Sequence, residues 1–366
     1  NQHYRFYDLL IAGIENIDII EIDNFDISEF KKEHIDKIKV KLKRFKDEGY
    51  IFVGSGLSPL VMEYSGLILD IFAVTGADLI NQTKESYLKS HFKSFLKILR
   101  GKRNFISSKN LAEIQSKGIL NSKKIVSHSS GYFKHAPSNI KNLSHQIAPY
   151  PIIYSKEYIS GNDKDRIESK MIEKIINEVK LRSNYVLAML SKIDPNKGSF
   201  IFIDGFYEYV QKHNASSILL IPERGRFDLV YQNSEKMREL ITSGNIVTIP
   251  PLSQRAIFYI KSKIDVAFGI NIGDFTKHDW NTTLMQTLQA QTPLITYCPF
   301  NTLCDIPDFD LYPHYNSKNS EQVKTGLIKF SDEKNRLLEK TKIKNWNIYM
   351  HHKSIKIWTN IIDKLC

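Results

Sequence analysis

The sequence predicts an α/β protein of two Rossmann-like domains, and three observations carry that prediction. Short apolar runs alternate with helix-length amphipathic patterns through most of the chain, the signature of βαβ units rather than of hairpins. The chain has 366 residues, more than one ordinary core accommodates, so two domains share it. Hydrophobic residues at 42% and charged residues at 25% match soluble globular proteins, and no apolar run reaches the ~18 residues of a membrane-spanning helix.

In the first half the pattern gives a helix near Tyr4 to Ile14, a strand at Ile17 to Ile22 and a basic helix from Glu33 to Glu48. A strand at Tyr50 to Val53 follows and breaks at Gly54-Ser55-Gly56. A helix near Pro59 to Leu67 leads to a strand at Ile71 to Val74, which ends at Thr75-Gly76-Ala77-Asp78. A doubly wound domain normally opens on a buried strand, whereas this chain opens at Asn1 with polar residues and a helix. The first strand of the N-terminal domain is therefore expected in a missing upstream segment.

The second half repeats the alternation. Strands are expected at Tyr185 to Leu190, Ser217 to Ile221, Ile246 to Ile249, Asp265 to Phe268 and Leu294 to Thr296. Helices are expected between them at Phe200 to Lys212, Ser234 to Ser243, Ser253 to Lys261 and Thr282 to Gln289. The loop-forming Ala148-Pro149-Tyr150-Pro151 and the charged helical pattern from Ser155 to Ser183 mark the junction. The expected division is 1–160, 161–345 and a C-terminal helix over 346–366 that packs back toward the N-terminal domain.

Fifty-one Lys and Arg against 40 Asp and Glu give a net charge of +11, which favours anionic partners such as phosphates, lipid head groups or nucleic acid without choosing among them. The three cysteines, Cys298, Cys304 and Cys366, have no metal-ligand spacing and form no disulfide framework, which points to a reducing cytoplasm. No metal site and no nucleic-acid motif is found.

In open α/β sheets ligands bind beyond the carboxyl ends of the strands, so the loops there carry the candidate residues. After the strand ending at Leu190 comes Ser191-Lys192-Ile193-Asp194-Pro195-Asn196-Lys197-Gly198. Lys192 and Lys197, five apart in a turn, suit the two phosphates of a diphosphate, because lysine is a compact point charge. Two solvated lysines in a surface turn would look the same. The second loop, His278-Asp279-Trp280-Asn281-Thr282-Thr283, precedes a helix whose free N–H groups and dipole favour an anion. Asn281 or Thr282 also suits a helix cap, a role compatible with phosphate binding.

The order and spacing of these features resemble the C-terminal domain of GT-B glycosyltransferases, two Rossmann-like domains facing across a cleft, and most closely the retaining glycosyltransferase family 4. The stretch YVLAMLSKIDPNKG, Tyr185 to Gly198, is similar to the family's strand, Gly-Arg turn and Lys-Gly pair, with Lys192 at the arginine position and Lys197 at the lysine. SILLIPERGR, Ser217 to Arg226, falls where the family has a strand and a Gly-x-Gly turn, with Pro222 and Arg224 in place of the glycines. Asn245 to Pro250 and LMQTLQAQTPLI, Leu284 to Ile295, follow the family's order. The family's two glutamates eight residues apart correspond to His278 and Gln286, so its E-x7-E motif is degenerate here. In the first half AVTGADLI, Ala73 to Ile80, resembles a His-Gly-x-Asp motif, with Thr75 at the histidine and Gly76 and Asp78 in agreement.

The resemblance implies transfer of a sugar from a UDP- or GDP-linked donor to a glycan, lipid-linked or other cell-envelope acceptor, with retention and without a metal or bound cofactor. It implies donor contacts from Lys192, Lys197, Pro250, Asn281, Thr282, Thr283 and Gln286, and catalytic roles for His278, Lys192 and Lys197. Gly54, Gly56, Thr75, Gly76 and Asp78 fall on the acceptor side, in an N-terminal acceptor-binding domain. A nucleotide-sugar epimerase sharing the fold, and a non-catalytic protein that binds an anionic surface or nucleic acid, are the alternatives.

Two basic amphipathic helices, 33–48 and 84–100, set lysines against apolar residues. Ile35, Ile38, Leu42 and Phe45 oppose Lys37, Lys39, Lys41, Lys43 and Arg44 in the first, and Leu88, Phe92, Phe95, Leu96 and Leu99 oppose Lys89, Lys93 and Lys97 in the second. Such helices pack on their own domain or touch an anionic membrane. The second reading places the protein at the inner face of the membrane.

Overall fold

A computed structural model describes residues 32–74, 108–127, 133, 136, 138–148, 163–190, 192–270, 287–297, 315–317 and 319–365. The chain forms two compact units, Asn1–Tyr150 with Lys353–Cys366, and Pro151–His352. Each is built on a parallel sheet.

The first unit contains α1 (Lys32–Asp47), β1 (Val53–Gly54), α2 (Ser58–Tyr64), β2 (Ile71–Val74), α3 (Ser108–Asn121), β3 (Lys124–Ser127), α4 (Ser138–Lys141) and β4 (Gln146–Ile147). The strands lie in the order β1-β2-β3-β4. Successive strand side chains point to opposite faces, and both faces are covered. Phe72 and Val74 join Leu42 of α1, Leu60 and Val61 of α2 and Ile119 of α3. Ile71 and Ala73 meet Trp358 and Ile361 near the C-terminus on the other face. Burial on both faces explains why β2 reads as an unbroken apolar run, Ile-Phe-Ala-Val.

At the amino ends of these strands Asp70, 1% exposed, gathers three elements. Its carboxylate accepts from Lys46 of α1 at 2.9 Å and from the Phe52 amide at 2.9 Å, and pairs with Lys123 at 2.7 Å. One buried charge thus ties α1 and the starts of β1 and β3 to β2.

The second unit contains α5 (Asp163–Arg182), β5 (Val186–Ala188), α6 (Ser199–Lys212), β6 (Ile218–Pro222), α7 (Phe227–Asn233), α8 (Glu235–Thr242), β7 (Ile246–Ile249), α9 (Gln254–Lys263), β8 (Val266–Ile270), β9 (Leu294–Tyr297), β10 (Tyr315–Asn316), α10 (Ser320–Ser331) and α11 (Glu333–Asp363). From Lys353 onward α11 belongs to the first unit. The strand order is β10-β9-β8-β5-β6-β7, the doubly wound order in which the chain builds outward from β5 and then from β8. Leu187, Leu219, Ile221 and Phe268 pack on α6 and α10 through Phe202, Phe206, Val323 and Leu327. Val186, Ala188, Leu220 and Ala267 pack on α5 and α9 through Ile172, Ile176, Ile257 and Ile260.

Element ends differ from the sequence expectations by a few residues, for local reasons. Ser234 and Ser253 stand outside α8 and α9 as caps, their hydroxyls accepting from the Met237 and Ala256 amides, because a serine oxygen satisfies an orphan N–H better from the cap position than from within the helix. The expected strand at Tyr50 to Val53 is confined to Val53–Gly54, since the Phe52 amide turns instead to Asp70. Among the described residues no helix is long and apolar enough to cross a membrane.

Candidate functional site

The connections from β5 run to β6 and β7 on one side, whereas β8 continues to β9 and β10 on the other. The chain thus diverges between β5 and β8, and the crevice beyond their carboxyl ends is where a doubly wound sheet admits a ligand. The loop leaving β5 carries Lys192 and Lys197. The segment leaving β8, numbers 271–286, lies outside the described residues, and His278, Asn281, Thr282, Thr283 and Gln286 with it.

The β5 loop is shaped by its own hydrogen bonds. Ile193 is buried and anchors the turn, and the Ser199 hydroxyl bridges Asp194 by accepting from its amide and donating to its carbonyl, both at 2.9 Å. A single 3-10 turn, Pro195–Lys197, follows. Gly198 then takes φ 70° and stands at the N-terminus of α6 without any side-chain cap. Lys192 is exposed and Lys197 half-buried, and both lie on the loop leading into a 14-residue helix whose dipole also favours an anion.

A second cationic turn lies against the first. After β6 the chain reads Glu223-Arg224-Gly225-Arg226, all exposed. Ile193 and Gly225 form a parallel bridge, in which the Ile193 amide donates to the Arg224 carbonyl at 2.9 Å and the Arg226 amide to the Ile193 carbonyl at 2.7 Å. Arg226 Nε lies 3.4 Å from Asp194 Oδ2. The glycine is obligatory here. Gly225 has φ +87°, and a Cβ on it would stand 2.7 Å from the Ile193 carbonyl oxygen and 3.0 Å from Lys192 Cβ. Gly225→Ala is expected to cost about 1–3 kcal/mol through this strain and clash, measured as a lower urea midpoint; an unchanged midpoint would show that the turn relaxes freely.

Sequence reasoning placed the expected glycines at 222 and 224 and so missed Gly225, Arg224 and Arg226 as one structural unit. The signal is a Gly between two Arg, one residue beyond a strand ending in proline, but it is offset by one residue from the family spacing. Pro250 is exposed just beyond β7, and the preceding Ile249 carbonyl accepts from the Glu223 amide at 2.9 Å. The β6 turn is therefore held on both sides.

In the first unit Gly54 ends β1 and Gly56 follows with φ 61°. Ser58 and Leu69 occupy the space over Gly54, and the Gly56 carbonyl accepts from Gln115 Nε2 at 2.8 Å. Both glycines thus make close contacts with their own unit. Thr75, Gly76, Asp78 and the helix over 84–100 lie outside the described residues.

No family model matches the sequence, and no curated protein matches it. Solved structures do match in fold. The two sheets are those of the GT-B fold. Anabaena HepE, solved with UDP and glucose, superposes with a TM-score of 0.54 at 10% identity, covering 91% of this chain and 81% of that one. WaaG, a glycosyltransferase involved in lipopolysaccharide biosynthesis, gives 0.52 at 13% identity over 97% and 94%. The N-terminal domain of a Candida albicans trehalose-6-phosphate phosphatase gives 0.53 at 10% identity over 91% and 76%. At these identities the GT-B likeness concerns the fold, and the chemistry is argued from the residues.

Proposed function

We propose that the chain is a glycosyltransferase that moves a sugar from a UDP- or GDP-linked donor to a glycan, lipid-linked or other cell-envelope acceptor. The observation that carries this reading is that Lys192 and Lys197 both lie on the loop joining β5 to α6, a helix whose N-terminus has no side-chain cap, beside the divergence of β5 and β8. It is supported by the GT-B fold and by HepE, which was solved with UDP and with UDP-glucose.

The chemical demand of sugar transfer is stabilisation of the departing nucleoside diphosphate. As the glycosidic oxygen leaves, negative charge grows on the phosphates, and fixed cations plus a helix dipole lower the barrier without reorganising. In this reading Lys192 and Lys197 supply the cations, and α6 supplies the dipole. The reaction proceeds with retention and without a metal, as the resemblance to family 4 implies, with His278 and Gln286 at the donor sugar and ribose, Asn281 to Thr283 at the phosphates and Pro250 at the nucleotide. Turnover of a panel of UDP- and GDP-sugars tests this. Release of nucleoside diphosphate coupled to a modified acceptor supports it; release of an isomerised donor identifies an epimerase, and no turnover of any donor rejects the reading.

We also propose that the protein works in the cytoplasm at the inner membrane face, with anionic lipid meeting α1. Leu42 is 3% exposed, and Ile38 and Phe45 pack beside it in the core. The apolar face of α1 is therefore spent on its own unit, and Lys39, Lys41, Lys43 and Arg44 remain exposed. Contact through α1 is then chiefly electrostatic, with Val40 its exposed apolar side chain among the described residues. The protein is expected to sediment with anionic vesicles at low salt and to be released near 0.5 M salt, where screening is within about 5 Å; retention at high salt, or no binding at low salt, contradicts this mode.

A further inference from the structure

The parallel bridge between Ile193 and Gly225 sets the pairing of the residues on either side. Asp194 falls beside Arg226, an attractive pair with its ion contact at 3.4 Å. Lys192 falls beside Arg224, which is a pair of cations. Both are exposed, and neither side chain makes a hydrogen bond or ion pair with a described residue. Like charges on neighbouring backbone segments disfavour each other.

Among the described residues the nearby carboxylates leave this repulsion in place. Asp194 is engaged by Arg226, and Glu223 makes no ion pair with a described residue. The backbone of the turn is held by the Ile193 and Arg226 amides and by Gly225, whose φ of +87° other residues rarely adopt, so both side chains leave from set backbone positions. An exposed pair of cations, uncompensated among the described residues, at the carboxyl end of adjacent strands is an arrangement an anion would stabilise.

We propose that Arg224 and Lys192 together clamp the donor diphosphate. Arg224 presents its planar fork to two phosphate oxygens, which lysine cannot do, and Lys192 adds a point charge from the opposite segment. This rests on the donor reading above but adds a residue that the family resemblance does not supply, since Arg224 stands where that family has glycine. Arg226, held by Asp194, braces the clamp.

The test is calorimetric titration of UDP and GDP into the wild-type chain, Arg224→Ala and Arg224→Lys, with thermal melts of each with and without nucleotide. Loss of one charge-assisted contact predicts about a tenfold or greater fall in affinity for Arg224→Ala. Arg224→Lys, which keeps charge without the fork, falls between. Without nucleotide, Arg224→Ala melts no lower than wild type, because a repulsion has been removed; a residue with a merely structural role would melt lower. If wild type binds UDP or GDP and Arg224→Ala binds equally well, the clamp is wrong and the donor reading survives. If Arg224→Ala loses binding only together with its fold, Arg224 is structural and the proposal fails. If wild type binds neither nucleotide, the donor reading itself falls and takes the clamp with it.

Discussion

Replacing Lys197 by alanine is expected to lower kcat/KM for the nucleotide-sugar donor by about 2–4 kcal/mol in transition-state terms, the scale of losing one fixed contact to developing charge. Lys197 closes the 3-10 turn that precedes Gly198, so its backbone position is set by hydrogen bonds that do not involve its side chain. The Lys197 amide donates to the Asp194 carbonyl at 2.9 Å, and the Gly198 amide to the Pro195 carbonyl at 3.0 Å. The alanine variant should therefore fold normally and fail in chemistry. A fall in kcat with KM little changed would place the contact in the transition state; equal kinetics for the two proteins would remove Lys197 from the site.

The largest effect on stability is expected at Asp70. Burial pushes its carboxyl up, but the hydrogen bonds from Lys123, the Phe52 amide and Lys46 outweigh this and hold it below the ordinary aspartate range. A lowered folded pKa means that the stabilisation is fully present above the unfolded value, about 4, and disappears as pH falls through the folded one. Asp70→Asn is expected to cost about 2–4 kcal/mol at neutral pH, near the lower end for breaking a buried pair, because Lys46 and Lys123 are 33% and 48% exposed and can return to water. The difference between wild type and variant in urea unfolding should shrink below about pH 4. A difference under about 1 kcal/mol, or one unaffected by acid, would show that the charge is not what joins these elements.

Asp70 and Lys197 mark opposite ends of their sheets, and this division of labour is only partly legible in the sequence. The buried strands were readable because a parallel strand covered on both faces is apolar throughout, as in Ile71–Val74 and Ile246–Ile249. α3 was not recognised, since its buried face includes Gln115 and Gly118: Gln115 accepts from the Leu60 amide, and Gly118 lets Pro59 of α2 approach closely. Periodicity in apolar residues cannot register a helix packed through an amide and a glycine. α7 was hidden for a different reason, having only Val230 buried in its seven residues.

The candidate loop was legible where residue type and loop position coincide. Lys192 and Lys197 follow a strand of unmistakable pattern, and both lie on the loop between β5 and α6. The contribution of the β6 turn was not legible, because the bridge between Ile193 and Gly225 joins residues 32 apart in sequence and depends on one backbone torsion. The basic helix α1 was correctly read as amphipathic, but only packing shows that Leu42 is committed to the core. Family-like spacing alone would have left Arg224 as a blemish in a glycine motif.

The most direct test of the account is a crystal structure of the protein with UDP or GDP bound. The diphosphate is expected beyond the carboxyl end of β5, at the N-terminus of α6, with the Lys192 and Lys197 nitrogens within about 3 Å of phosphate oxygens. A nucleotide bound elsewhere, or one whose phosphates face solvent away from both lysines, would contradict it.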